Sequence, residues 1–218
     1  FWAAFEAYLL LGSGMGSIVG AALRAAVLPF FMKRYGSGTV IGRGVTIRQP
    51  GRIAIGRSVV VDDYAVLDVR SNPDPQVTPA IEIEDQVLIG RGSIITTKGG
   101  VIRLGRACNI STNCRIATRS SIEIGQSVLI AAYVYLGCGN HSFEDCSRPL
   151  MEQGMENRGG VKVGANSWIG TRATILDGVS IGENAIVGAH SLVNRDVPAN
   201  AIVAGTPAKL IRMRGQGA

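Results

Sequence analysis

From Val40 onward, groups of aliphatic residues recur at six-residue spacing. The series reads Ile41, Ile47; Ile55, Val61, Leu67; Ile83, Ile89, Ile95; Leu104, Ile110, Ile116; Ile124, Ile130, Leu136; Val163, Ile169, Ile175; Ile181, Val187, Val193. Glycine often follows the aliphatic residue, as in Ile55-Gly56, Ile89-Gly90, Ile124-Gly125 and Ile169-Gly170. Four positions after the aliphatic comes a small or modest side chain, such as Val59, Ala65, Ser93, Cys108, Cys114, Ser167, Ala173 or Ser191. A period of six is neither the 3.6 of a helix nor the 2 of a half-buried strand. It predicts a triangular coil of three hexads. Each aliphatic side chain points inward, and stacking buries a ladder that no single coil could bury.

The groups of three predict about six coils. Arg52-Ile53-Ala54, Val101-Ile102-Arg103 and Ile122-Glu123 read as additions at single corners. Two stretches break the period. Arg70 to Ala80 carries three prolines and reads as a surface loop. Asn140 to Gly160 is longer, and loops of that length in a compact unit are usually functional or disordered. Three regions result: an apolar leader over 1–35, the repeat domain over 36–197 with loops at 70–80 and 140–160, and a tail over 198–218.

The leader follows a different pattern. Phe1 to Leu11 and Met15 to Met32 are apolar and rich in alanine and leucine, which favour helix. Arg24 falls inside the second run, and burying it in a bilayer would cost roughly 2.5–3.5 kcal/mol. Two short helices lying on a membrane or on a partner subunit, with Lys33 and Arg34 toward headgroups, are expected. A helical cap on the end of the scaffold is the alternative. The chain opens at Phe1, which reads as a trimmed start, and no charged leader with a small-residue cleavage site is evident.

Composition narrows the picture further. Twenty-nine glycines and 6% aromatics argue against a sandwich or a doubly wound sheet. The net charge of +6 suits a phosphorylated ligand or an anionic membrane face. No Lys/Arg run or basic-aromatic interleaving marks a nucleic-acid surface. None of Cys108, Cys114, Cys138 and Cys146 forms a Cys-x-x-Cys pair, and two histidines are too few for a zinc site. Buried free thiols in a reducing compartment are expected.

Combined motifs then carry a resemblance. The hexads, Asn140-His141-Ser142-Phe143, Trp168-Ile169-Gly170, Gly188-Ala189-His190-Ser191, Asp196-Val197-Pro198 and Ala204-Gly205-Thr206-Pro207-Ala208 resemble the hexapeptide-repeat acyltransferases. The branch with galactoside, maltose and xenobiotic acetyltransferases is the most similar. Within it, the leader and the loop from His141 to Gly154 look like O-acetyltransferases of exopolysaccharide and lipopolysaccharide clusters. The resemblance implies an all-β fold, a left-handed parallel β-helix with an N-terminal helical segment and a short C-terminal tail. It also implies a homotrimer with sites between adjacent prisms, acetyl-CoA as co-substrate, no metal, and a cytoplasmic location, at the inner face of the membrane if the leader docks.

A sugar hydroxyl needs a base near working pH, and histidine's ordinary pKa of about 6.5 suits that task. The resemblance places His141 in that role, with Glu144 or Asp145 nearby to orient the ring. It places Thr171 as oxyanion donor, Trp168 as a wall of the pantetheine tunnel, and Ala189, Asn194 and Arg195 along the pantetheine arm. Lys209 and Arg212 match residues near the nucleotide phosphates. His190 reads as lining the groove. For the acceptor, Ser111 or Asn113 from the preceding coil and Asn140 are the expected contacts, and Arg148, Met151 and Gln153 are expected to touch the acceptor or a neighbouring subunit. Three rivals stay open: N-acetylation of an amino sugar, a non-catalytic scaffold on the same prism, and a metal-dependent carbonic anhydrase, which the two histidines argue against. The acceptor sugar and the length of the acyl chain are not read from sequence.

Overall fold

The computed structural model describes residues 13–70, 79–137 and 139–215. The first apolar run of the leader, most of the 70–80 loop, Cys138 and the last three residues lie outside them.

The hexads form a prism with three parallel sheets as its faces. The first sheet stacks Arg34–Tyr35, Ile53–Ile55, Ile81–Ile83, Val101–Leu104, Ser121–Ile124, Val161–Val163 and Ser180–Ile181. The second runs from Val40–Ile41 through Leu129–Ile130 and Trp168–Ile169 to Ala201–Gly205 and Ala208–Met213. The third runs from Thr46–Arg48 through Val66–Arg70, Ile94–Lys98, Arg115–Thr118 and Tyr135–Gly137 to Leu192–Val193. Pairing is in register, so Ile47, Leu67, Ile95, Ile116, Leu136, Ile175 and Val193 line up as one buried column. The small residues of each hexad are buried beside it. The architecture is a left-handed parallel β-helix.

Each corner turns on a residue three places past the aliphatic. Ser58, Tyr64, Gln86, Asn113, Tyr133, Arg172 and His190 all adopt φ between 54° and 63° there. Their amides bond to carbonyls of the preceding coil, so the corners stack into columns. Gly170 shows why glycine follows the aliphatic. A Cβ there would meet the Ala189 nitrogen at 2.6 Å, closer than neighbouring coils allow.

Two readings change. First, the residues expected as corner additions instead lengthen the strands of the first sheet. Ile53, Ile81, Ile102, Ile122 and Val161 pair in register and are fully buried, giving that face a second inward column. Second, the first sheet holds seven strands where the six groups of three predict six, while the seven strands of the third match the seven aliphatics from Ile47 to Val193. The first sheet begins at Arg34–Tyr35, where Tyr35 replaces the aliphatic residue and so hides the rung.

A helix, α1 (Ser17–Val27), and a short 3-10 turn, Leu28–Phe30, precede the first coil. Leu28 joins the core. Arg24 is buried in the joint, where its guanidinium donates to the Ile41 carbonyl at 2.7 Å and the Met15 carbonyl at 2.8 Å. The cation expected to disfavour a spanning helix is the residue that ties this helix to the prism. The outer face stays apolar, with Ile18 87%, Val19 64% and Phe30 77% exposed. No helix among the described residues is long and apolar enough to cross a membrane. At the other end, Ala201–Gly205 continues the second sheet and Ala208–Met213 folds back antiparallel to close its edge.

Candidate active site

The excursion leaves the third sheet after Gly137 and rejoins the first at Val161, so it projects from one corner of the prism. Its base is a two-residue antiparallel pair, Asn140 opposite Glu156 and His141 opposite Met155. His141 is exposed, and its side chain makes no hydrogen bond among the described residues. An imidazole held by a paired backbone but with free ring nitrogens can accept a proton from a docked hydroxyl.

Two side chains fix this loop. Gln153 accepts from the Asp145 amide at 3.1 Å and donates to the Asp145 and Arg148 carbonyls at 2.8 and 2.9 Å. Asp177, buried on the next coil, accepts from the Arg158 amide at 3.0 Å and the Gly160 amide at 2.9 Å. Gly160, at φ +94°, lets the chain re-enter the stack, and its missing Cβ would lie 2.1 Å from the Ser121 carbonyl oxygen. Gln153, expected at the acceptor or a neighbouring subunit, spends its amide on bonds inside the loop. Asp177 was missed, because Asp177-Gly178 reads only as a turn.

The carboxylates beside His141 differ. Asp145 accepts from the Ser147 hydroxyl and amide, at 2.6 and 2.9 Å, which holds its carboxyl below the usual range. Glu144 is exposed, and its carboxylate makes no hydrogen bond among the described residues. Arg148 caps its own turn at the Glu152 carbonyl, 2.8 Å away, and Met151 is 90% exposed on the outer side of the loop.

The remaining expected residues fall on other parts of the prism. Asn194 and Arg195 lie on the same corner as His141, above Asp177, where Asp196 accepts from the Ser180 amide. Ser111, Asn113, Thr171, Ala189 and His190 share the corner between the second and third sheets. A run of amide bonds (Tyr133 to Thr112, Arg172 to Ala132, His190 to Thr171) stacks that corner coil on coil. The Ser111 carbonyl takes the Ser93 hydroxyl at 2.7 Å. The Thr171 amide donates to no group among the described residues. Arg172 sits over the Tyr133 ring, 5.3 Å from its centre. His190 is a left-handed turn residue with φ 58°.

Trp168 is half exposed on the second face, in line with Leu129 and Ile186. Lys209 and Arg212 ride on the closing strand of that face. They are three apart, which in a regular strand puts them on opposite sides. A bulge between the partners of Leu210 and Arg212 corrects this, so Lys209 pairs Ala204 and Arg212 pairs Ile202 on one outward side.

The free thiols of Cys108 and Cys114 are buried in the slots expected for them, donating to the Gly125 and Ala131 carbonyls at 2.8 and 3.1 Å. Burial pushes the Cys108 thiol up to about 11 and raises that of Cys114. Cys146 is exposed.

The model of the bacterial transferase hexapeptide (six repeats) matches residues 160–195. Those residues match the repeat of the hexapeptide transferases. The chain is 35% identical to the galactoside O-acetyltransferase of Escherichia coli over 114 residues, covering 52% of this chain and 55% of that one. It thus spans about half the length of the curated relatives it matches. It also superposes on AntD, an N-acyltransferase from Bacillus cereus solved with dTDP and coenzyme A. The TM-score is 0.59 at 20% identity, covering 88% of this chain and 90% of that one, which shows a shared fold.

Proposed function

We propose that the protein is an acetyl-CoA-dependent O-acetyltransferase acting on a sugar hydroxyl of a surface polysaccharide or its precursor. The observation that carries this reading is His141, presented on a paired backbone with no side-chain hydrogen bond among the described residues. Bound acetyl-CoA supplies an activated thioester. His141 removes the hydroxyl proton as the acceptor oxygen bonds to the carbonyl carbon. It then returns that proton to the departing sulfur as the C–S bond breaks. The unused Thr171 amide is a donor for the charge that gathers on the carbonyl oxygen. Lys209 and Arg212, brought to one side by the bulge, fit a phosphate-bearing nucleotide.

His141 and Thr171 occupy different corners of one prism. This supports a homotrimer in which the His141 corner of one copy meets the Thr171 corner of the next. The second face carries a mostly apolar stripe suited to self-association: Val40, Val60, Leu88, Leu129 and Trp168, each 37–52% exposed and in register, with Asn109 set between Leu88 and Leu129. The apolar outer side of α1 supports peripheral contact with a membrane where a lipid-linked saccharide would be met.

Acetyl transfer from acetyl-CoA to a panel of neutral and activated sugars, wild type against His141→Ala, tests the assignment. Loss of a general base lowers turnover by about 10²–10⁴. Equal turnover by the two proteins would remove His141 from the chemistry.

A further inference from the structure

Beneath the His141 loop the third face carries a column of cations. Arg70 pairs with Lys98 in the sheet register. Thr97 pairs with Thr118 on the next rung, so Arg119 follows directly above Lys98. Arg115 stands one strand-length back on the same face, paired with Tyr135. These residues, with Thr96, Thr118, Tyr135, Gly139 and Met155, line a cavity of about 220 Å³ with no carboxylate in its wall. Arg70 is held by the buried Asp68. Among the described residues, Lys98, Arg115 and Arg119 form no ion pair.

Such a column works against the fold. Like charges set opposite one another on adjacent strands destabilise a sheet. Elsewhere the prism interleaves its charges: Arg103 lies between Glu82 and Glu123, and Arg57 is met by Asp85. Here, among the described residues, Asp68 meets Arg48 and Arg70 but no acid meets Lys98, Arg115 or Arg119, and rungs lie only about 4.8 Å apart. The cavity wall reaches the base of the His141 loop through Gly139 and Met155. The Arg119 and Met155 side chains converge on Gly139, where an added Cβ would lie 3.6 Å from Arg119 Cδ and 3.2 Å from Met155 Cε. Gly139 is two residues before His141, and Met155 pairs with His141 in the hairpin.

We propose that this groove holds the phosphoryl groups of a diphosphate-linked acceptor saccharide. The inference rests on the acetyl-transfer reading above and names its substrate class. Three cations on two neighbouring rungs, with no ion pair among the described residues, match two adjoining phosphoryl groups, whose oxygens carry more charge than one carboxylate. The sugar attached to the diphosphate then lies at the His141 end. The diphosphate belongs to the acceptor and not to coenzyme A, because Lys209 and Arg212 lie on a different face.

Inorganic pyrophosphate titrated calorimetrically into the full chain tests the site without turnover. Saturable binding is expected, unchanged in His141→Ala and weakened at least tenfold in Lys98→Ala and in Arg119→Gln, all exposed positions that leave the core intact. Coenzyme A should not displace it. Steady-state arms use one sugar in three forms: neutral, nucleoside-diphosphate-linked and short-chain polyprenyl-diphosphate-linked. Both variants should raise KM at least tenfold for whichever diphosphate form is used, and leave KM for the neutral sugar and for acetyl-CoA unchanged. The two diphosphate arms separate a soluble donor from a lipid one. No saturable binding, equal binding by the variants, displacement by coenzyme A, or a raised KM for acetyl-CoA would each overturn the proposal. Variant-sensitive pyrophosphate binding in a protein that acetylates no sugar would sink the transferase reading and leave the anion site standing.

Discussion

Asp177→Ala should unlatch the His141 loop without unfolding the prism. The carboxylate is 7% exposed and accepts from the Arg158 and Gly160 amides at 3.0 and 2.9 Å. Hydrogen bonds to a charged group contribute about 1.5–3 kcal/mol each. Removing the acceptor leaves amides that water can reach once the exit opens, so opening should ease by about 2–3 kcal/mol. At 1.4 kcal/mol per decade, the open population rises about thirty- to hundredfold. Arg158 carries a tryptic site at that exit. When opening is fast relative to cleavage, the rate tracks the open population. Limited trypsinolysis, read by mass spectrometry at Arg158, should therefore accelerate by that factor. The melting temperature should move little, since the latch joins the excursion to the stack and not coil to coil. Asp177→Asn, keeping one oxygen, should fall between. Because Met155 pairs with His141, kcat/KM should drop about tenfold through lost positioning. Cleavage at Arg158 within twofold of wild type would refute the latch.

Other outcomes follow from the same geometry. Leu129→Asp places a charge in the centre of the apolar stripe on the second face, where burial of a charge costs several kcal/mol. Sedimentation should show dissociation with unchanged circular dichroism, and persistence of the assembly would exclude that face. Ile18→Glu with Phe30→Glu should abolish flotation with anionic vesicles, and unchanged flotation would remove α1 from membrane contact. Maleimide at pH 8 should label Cys146 and spare Cys108 and Cys114, since burial keeps both as thiols. The raised thiol of Cys108 also sets a pH trend. Its contribution to stability is full below the ordinary value of 9.0 and is lost as pH rises toward about 11, because the unfolded chain gives up the proton first. Denaturation midpoints of Cys108→Ser that track wild type across that window would contradict this assignment.

The scaffold was legible because its physics is local and repeated. Each hexad makes the same turn, and each coil contacts only its neighbours, so the period states the fold. The excursion that carries His141 was legible for a related reason, since an interrupted period marks where the chain leaves the stack. The closing bulge that brings Lys209 and Arg212 together was not, because strand alternation alone predicts the opposite. Nor was the second buried column of Ile53, Ile81, Ile102, Ile122 and Val161, whose members sit outside the hexads. Gln153 and Asp177 resemble ordinary loop and turn residues until their partners are placed.

The cation column marks the boundary most sharply. The sequence by itself determined the period, the inward side chains, the corner turns and the position of the interruption. It did not show that Arg70, Lys98 and Arg119 stack, because unequal insertions separate them by 28 and then 21 residues. Only register between coils, set when the aliphatic ladder closes, brings those charges side by side under His141. Residues within a hexad answer to local geometry, whereas residues on one face of the prism answer to the stacking of coils.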